Sequence, residues 1–238
     1  MGKVIGTRLA AAVVAALLTS ALWWFNYPAQ APAPVGHPYV PTRETMILYQ
    51  AGQVNDGGTV LLGDSITDGL YAQDLPGNVL NAGVGSARLK DVRRFGGRLL
   101  KGRHPAVIVL TAGVNDMLDI GQDRFAADEF RNAYADMCRL IEETGAKLVV
   151  STILPVRKEE PGSKRMSAKV NAETLARAND IIREIAGGNG YHLMDSFAYM
   201  AGDDGYLAPE LTPDGIHLSP KGYARWKTLI RDTLNGVQ

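Results

Sequence analysis

Cysteine is almost absent from this chain: Cys138 is the only one. A single thiol excludes an intrachain disulfide and any cysteine cluster that could hold zinc. Cys138 falls on a stripe with Phe130, Tyr134, Met137 and Ile141 at helical spacing, which marks it as a small core residue rather than a reactive thiol. Histidine is scarce too, with His37, His104, His192 and His217 making the full set of 4. An excess of either charge is also lacking. Lys+Arg and Asp+Glu number 25 each. That balance gives no electrostatic case for binding nucleic acid. Two of the basic residues, Lys3 and Arg8, are the only charges before Arg43, so the remainder is slightly acidic. Such a body is a poor ligand for an anionic membrane surface.

One stretch has no charge at all. Lys3 and Arg8 precede an apolar run over 9–27. At ~1.5 Å per residue this run approaches the thickness of a bilayer's hydrocarbon core. The positive flank predicts an amino end that stays in the cytoplasm, and Trp23, Trp24 and Tyr27 stand where an interfacial aromatic belt would lie. Residues 29–31 and 31–33 have the small-x-small form of a signal-peptide cleavage site, but Pro32 and Pro34 follow them. Proline after the cut favours an uncleaved anchor over a cleaved signal peptide. Either reading exports the body, to a periplasmic or extracellular place. Five prolines between Pro28 and Pro41 then predict an extended linker. The expected organisation is an anchor at 1–27, a linker at 28–41 and a catalytic domain at 42–238.

Within the body, apolar runs at 60–62, 79–80, 106–110, 148–153 and 191–194 read as strands. The run at 106–110 shows no polar alternation, as a central parallel strand covered on both faces requires. Helical patterns fall at 65–71, 88–101, 125–143, 168–186 and 220–234, with helix-stop glycines at Gly145 and at Gly187-Gly188, and a short leading helix at 41–50. The alternation predicts an α/β fold with a doubly wound, five-stranded parallel sheet in the order 2-1-3-4-5.

Acyl transfer by a serine needs a base, a group to orient that base and donors for the oxyanion. Ser65, in Gly63-Asp64-Ser65-Ile66-Thr67, follows the first strand, where a serine also reads as a helix N-cap. The stretch is not the G-x-S-x-G elbow, because Thr67 holds its fifth position. Among the histidines only His217 sits in a turn-rich loop, with Asp214 three residues before it. An Asx-turn beside a surface histidine would give the same pattern. Asn115 follows the most apolar strand and offers an amide for an oxyanion, or a helix cap. The loop after Asn81 carries Gly83, Gly85 and Ser86. Its G-x-G lacks the third glycine of a dinucleotide fingerprint and the first helix lacks a Walker lysine, so no cofactor is expected. Asp195, at the end of the last strand, is a competing acid. All these positions lie at strand ends or in the last loop, which converge on one crevice in an open α/β sheet.

Taken together, these blocks resemble the SGNH (GDSL-type) hydrolase superfamily over about residues 59–226. Gly63–Thr67 is similar to its first block, Asn81 begins the second, Gly113-Val114-Asn115-Asp116 matches G-x-N-D, and Asp214 to His217 matches D-x-x-H, followed by Leu218-Ser219-Pro220-Lys221-Gly222-Tyr223. The resemblance implies a flavodoxin-like sheet, no metal, and ester or thioester substrates. It implies Ser65 as nucleophile, His217 as base, Asp214 as its partner, and an oxyanion hole of the Ser65 N–H, an N–H near Ser86 and Asn115. One departure stands out: Ser86 occupies the position of the second-block glycine, with Gly83 and Gly85 as alternative counterparts. The expected function is a serine esterase acting on small-molecule, lipid or carbohydrate esters of acetyl or short acyl groups. Alternatives are an acyltransferase onto cell-envelope sugars, a lysophospholipase or thioesterase, and a tethered binding module without turnover. The charged segment 156–166 is placed to border the site as a lid, or to be a solvated loop.

Overall fold

The computed structural model describes residues 39–53, 56–118, 126–160 and 162–237. The apolar run at 9–27, and with it the expected N-terminal hydrophobic helix, lies outside them. Among the described residues no helix is long and apolar enough to cross a membrane.

Five strands, β1 (Thr59–Gly63), β2 (Val79–Gly83), β3 (Val107–Thr111), β4 (Lys147–Ser151) and β5 (His192–Met194), form one sheet in the order β2-β1-β3-β4-β5. Every pairing is parallel. This is the order that the alternation of runs predicts. β3 is buried at every position, as its unbroken apolar run requires. β2 and β5 are the two open edges, and His192 lies exposed on β5.

The leading helix α1 is Tyr39–Ala51 and takes in residues 39–41, which the sequence reading assigns to the linker. Helices α2 (Ser65–Asp68), α3 (Leu89–Leu99), α4 (Val114–Leu118), α5 (Ala127–Glu142), α6 (Ala172–Asn189), α7 (Ser196–Met200) and α8 (Pro220–Val237) follow in chain order. Helix α3 buries Leu89, Val92, Phe95 and Leu99, and α5 buries Phe130, Tyr134, Met137, Cys138 and Ile141. Those three- and four-residue steps put each apolar stripe on the face that covers the sheet. Burial pushes the Cys138 thiol up to about 12, which suits a packing role.

Several element ends differ from the sequence reading, and three of them have a visible cause. Helix α2 stops at Asp68 rather than running to residue 71, where the Asn81 amide takes the Thr67 and Leu70 carbonyls at 2.7 and 2.8 Å. Strand β4 stops at Ser151 because the Asn179 side chain takes the next segment: its Oδ1 accepts the Ile153 N–H at 2.7 Å and its Nδ2 donates to the Ile153 carbonyl at 3.0 Å. Helix α6 begins after its N-cap Asn171 and runs through Gly187 and Gly188. It ends only at Gly190, whose φ of 69° is left-handed and whose N–H donates to the Ala186 carbonyl.

Candidate active site

The carboxyl edge of β1 begins the site. Gly63 and Gly83 are register partners on β1 and β2. A Cβ on Gly63 would come 2.2 Å from the Thr111 carbonyl, and one on Gly83 would come 2.1 Å from the Asp68 nitrogen. The two bare positions let α2 lie directly on the sheet edge, with Ser65 as its first residue. The N-cap of that helix is Asp64, whose carboxylate accepts the Ile66 N–H at 3.0 Å. Ser65 is therefore not the capping residue, and its hydroxyl is released for other contacts.

Those contacts run to the last loop. Ser65 Oγ lies 2.9 Å from His217 Nε2, and His217 Nδ1 lies 2.6 Å from Asp214 Oδ2. Asp214 Oδ1 also accepts the N–H groups of Ile216 at 3.0 Å and His217 at 2.8 Å. The Asx-turn and the histidine contact are thus the same carboxylate at work: one oxygen folds the loop and the other holds the ring. With Nδ1–H donating to Asp214, Nε2 is left to accept the Ser65 proton. Burial pushes the Asp214 carboxyl up, but the bonds from His217 and from two backbone N–H groups outweigh it and hold it below the usual carboxylate range. Gly215, at φ 97°, turns the loop tightly against Ser167.

The charged segment expected at the site border does pack on this loop. The Arg157 N–H donates to the Gly215 carbonyl at 2.8 Å. Glu159 accepts from Ser163 at 2.8 Å and from Ser167 at 2.7 Å, which folds the segment back on itself.

The third group of residues comes from the loop after β2 and from α4. Asn115 Nδ2 donates to the Ala87 carbonyl at 3.0 Å, and Asp116 Oδ2 accepts the Leu89 N–H at 3.0 Å. Asn115 thus reaches from α4 to the second-block loop and Asp116 to the first residue of α3, so neither serves as the cap of α4. Asn115 keeps a second amide N–H beyond the one given to Ala87. The loop itself separates the three candidates for its donor. The Gly83 N–H goes to Asn81 Oδ1 at 2.9 Å and the Gly85 N–H goes to Asp68 Oδ2 at 3.0 Å. Ser86 is exposed, and among the described residues it is the only non-glycine with a positive φ, at 62°. The departure from the family pattern therefore keeps glycine-like backbone geometry at that position.

The remaining sequence candidates lie elsewhere. Asp195 caps α7, accepts from Thr152 at 2.9 Å and pairs with Arg183 at 3.0 Å, so its carboxylate is committed away from His217. His104 is exposed ahead of β3, at the opposite end of the strands from Ser65. His37 falls outside the described residues. Among the described residues, no group of three or more His, Cys, Asp or Glu side chains is placed to hold a metal ion.

Comparison with known proteins bears on the family and the fold. Residues 61–225 match the GDSL-like lipase/acylhydrolase family. The chain belongs to that family. This GDSL-like hydrolase acts on ester bonds, and its sheet recurs in solved structures. A protein from Streptococcus pneumonia whose name refers to platelet activating factor is 22% identical, with 83% of this chain and 93% of that one covered at a TM-score of 0.72. A GDSL-like lipase from Bacteroides thetaiotaomicron is 19% identical over 82% and 98% of the two chains, at 0.68. An acetyl xylan esterase is 22% identical over 75% and 98%, at 0.59. At these identities the likeness bears on the fold. No curated protein matches this GDSL-like hydrolase.

Several residues around the site have contacts that the sequence motifs do not reveal. Tyr223 donates to the Ile66 carbonyl at 3.0 Å and so fixes α2 from the last helix. Asp68 stands one turn after Ser65, a spacing that is legible, but its partners come from elements distant in sequence. Arg43 lies outside the family match, in the leading helix.

Proposed function

We propose that this chain is a serine esterase in which Ser65 attacks the ester carbonyl, His217 takes the Ser65 proton, and Asp214 orients and charge-balances His217. The observation that carries this reading is the continuous set of contacts, 2.9 Å from Ser65 to His217 and 2.6 Å from His217 to Asp214. The oxyanion meets the N–H of Ser65, the N–H of Ser86 and the amide of Asn115. His217 then protonates the leaving alcohol, and water, deprotonated by His217, releases the acyl group and regenerates Ser65.

The substrate is a small-molecule or carbohydrate ester of a short acyl group. A small apolar recess supports this, since it is walled by Asp64 and Ile66 on either side of Ser65, by Ile216 beside His217, and by Val114 and Ile153. The acetyl xylan esterase that shares the fold provides one example of such chemistry. The N-terminal run points to a catalytic domain tethered outside the cytoplasm. Protease treatment of intact cells, of cells whose outer envelope alone is opened, and of lysed cells tests that placement, with cleavage only after lysis counting against it.

The deciding experiment is hydrolysis of aryl acetate by the full chain and by Ser65→Ala. Loss of turnover by about 10⁴-fold or more is expected. Full turnover in the variant would remove Ser65 from the mechanism. An arylphosphonate should label Ser65 and no other serine, as mapped by mass spectrometry.

A further inference from the structure

The second-block loop hangs from the open edge of the sheet. Among the described residues β2 has no strand beyond it, so the outward backbone groups of Asn81 and Gly83, two residues apart, have no ladder partner there. Arg43 of α1 fills that place. Its Nε donates to the Gly83 carbonyl at 3.0 Å and its Nη2 to the Asn81 carbonyl at 3.2 Å. The guanidinium thus bonds two alternate carbonyls, as an added strand would.

Asp68 joins this clamp to the nucleophile. Its Oδ1 lies 2.9 Å from Arg43 Nε, while Oδ2 accepts the Gly85 N–H at 3.0 Å and the Tyr39 hydroxyl. The Arg43 and Asp68 side chains are only 17% and 14% exposed, so this is not a solvent-screened surface pair. Asn81 completes the connection, donating to the Thr67 and Leu70 carbonyls at 2.7 and 2.8 Å. One polar network therefore spans α1, the Ser65 helix and the loop.

Ser86 follows directly on that network. Its left-handed backbone is one that a residue with a Cβ keeps only where the surroundings hold it. Arg43 and Asp68 fix residues 83 and 85 before it, and Asn115 fixes Ala87 after it.

We propose that Arg43, paired with Asp68, is a positioning residue for the oxyanion hole, holding the second-block loop so that the Ser86 N–H stays aimed beside Ser65. The inference rests on the Ser65 esterase reading. It extends the working site to a helix that lies before the 61–225 family match.

The test compares full-length Arg43→Ala, Arg43→Lys and Asp68→Asn with the parent, using aryl acetate turnover, thermal melting and amide hydrogen exchange at 84–87. A misplaced donor is expected to lower kcat in Arg43→Ala by about 10- to 100-fold, with KM within about threefold. Exchange should quicken at the loop. Lysine should restore part of kcat, because it keeps the charge facing Asp68 but cannot bond both carbonyls. A role confined to anchoring α1 would lower the melting temperature and leave kcat of the folded protein intact, and that result would overturn the proposal. Should Arg43→Ala fail to fold, unchanged kcat in both Arg43→Lys and Asp68→Asn overturns it equally. Ser65→Ala separates the two readings. Dead Ser65→Ala with fully active Arg43→Ala refutes the positioning role alone, whereas active Ser65→Ala refutes the esterase reading and this inference together.

Discussion

At the scale of single residues, the site depends on individual atoms: Asp214 folds the loop with one oxygen and holds His217 with the other. Asp214→Asn keeps the size of the side chain but puts a donor or a neutral acceptor against His217 Nδ1. By comparison with other triads, kcat should fall by about 10³–10⁴-fold, read from aryl acetate kinetics. Ser86→Gly tests the backbone. Removing the Cβ relieves a left-handed serine at φ 62° and should raise stability by ~1 kcal/mol in urea denaturation while kcat changes little. A destabilised Ser86→Gly would show that the serine hydroxyl, not the loop alone, holds this geometry. Asp64 carries a third expectation. Burial pushes its carboxyl up to about 7, and Asp116 nearby is pushed up to about 6 for the same reason. Between the ordinary carboxylate value and these raised values the folded state binds more protons than the unfolded one. Stability is therefore greatest below about pH 4 on this account and declines as pH rises through about 7, by at most ~4 kcal/mol for Asp64. Asp214 does not oppose the trend in this window, because its lowered value places its own loss at more acid pH. Denaturation midpoints measured from pH 4.5 to 8 should fall with pH in the parent and fall less in Asp64→Asn, where Asp116 still titrates.

At the scale of elements, the strands were legible because their apolar runs are short, continuous and bounded by turn residues, and β3 is the clearest case. The contact of Ser65, His217 and Asp214 was legible because Asp214 and His217 are local to one turn and Ser65 follows a strand end. What was hidden is where a helix or strand stops. Gly187 and Gly188 read as a stop, yet the helix ends at Gly190, the glycine whose backbone is left-handed. The end of β4 is set by Asn179, which comes from α6 and leaves no mark near residue 151. The choice among Gly83, Gly85 and Ser86 was equally closed to sequence, because it turns on which N–H groups Asn81 and Asp68 already occupy. Gly83 shows how narrow the margin between elements is. In Gly83→Ala the new methyl would meet the Asp68 backbone nitrogen at 2.1 Å, and neither strand nor helix can yield without moving Ser65. Overpacking of this kind costs about 1–3 kcal/mol or more. Gly83→Ala should therefore lower the melting temperature and turnover together, a pairing that circular dichroism and ester kinetics on one preparation would detect.

At the scale of the whole molecule, two spaces lie beside the Ser65 edge of the sheet, and their sizes differ enough to predict acyl preference. The recess walled by Asp64, Ile66, Val114, Ile153 and Ile216 measures about 10 Å³. That is room for one water-sized group, such as the methyl of an acetyl ester. On the side of Ser86, a chamber of about 200 Å³ is lined by Val40, Glu44, Ala87, Val92 and Phe95. Its wall includes Val40 and Glu44 of α1. If the acyl group enters the recess, acetyl esters should have the highest kcat/KM, since each methylene that the pocket cannot hold costs about tenfold or more. Varying aryl esters from acetyl to octanoyl measures this directly. A maximum at hexanoyl or octanoyl would instead assign the acyl chain to the chamber. In that case Val92→Trp, which fills the chamber, should suppress the long esters and spare acetyl. With acetyl preferred in the parent, the same substitution should leave the whole profile unchanged, because the methyl then sits against Ile66 and Ile216, away from residue 92.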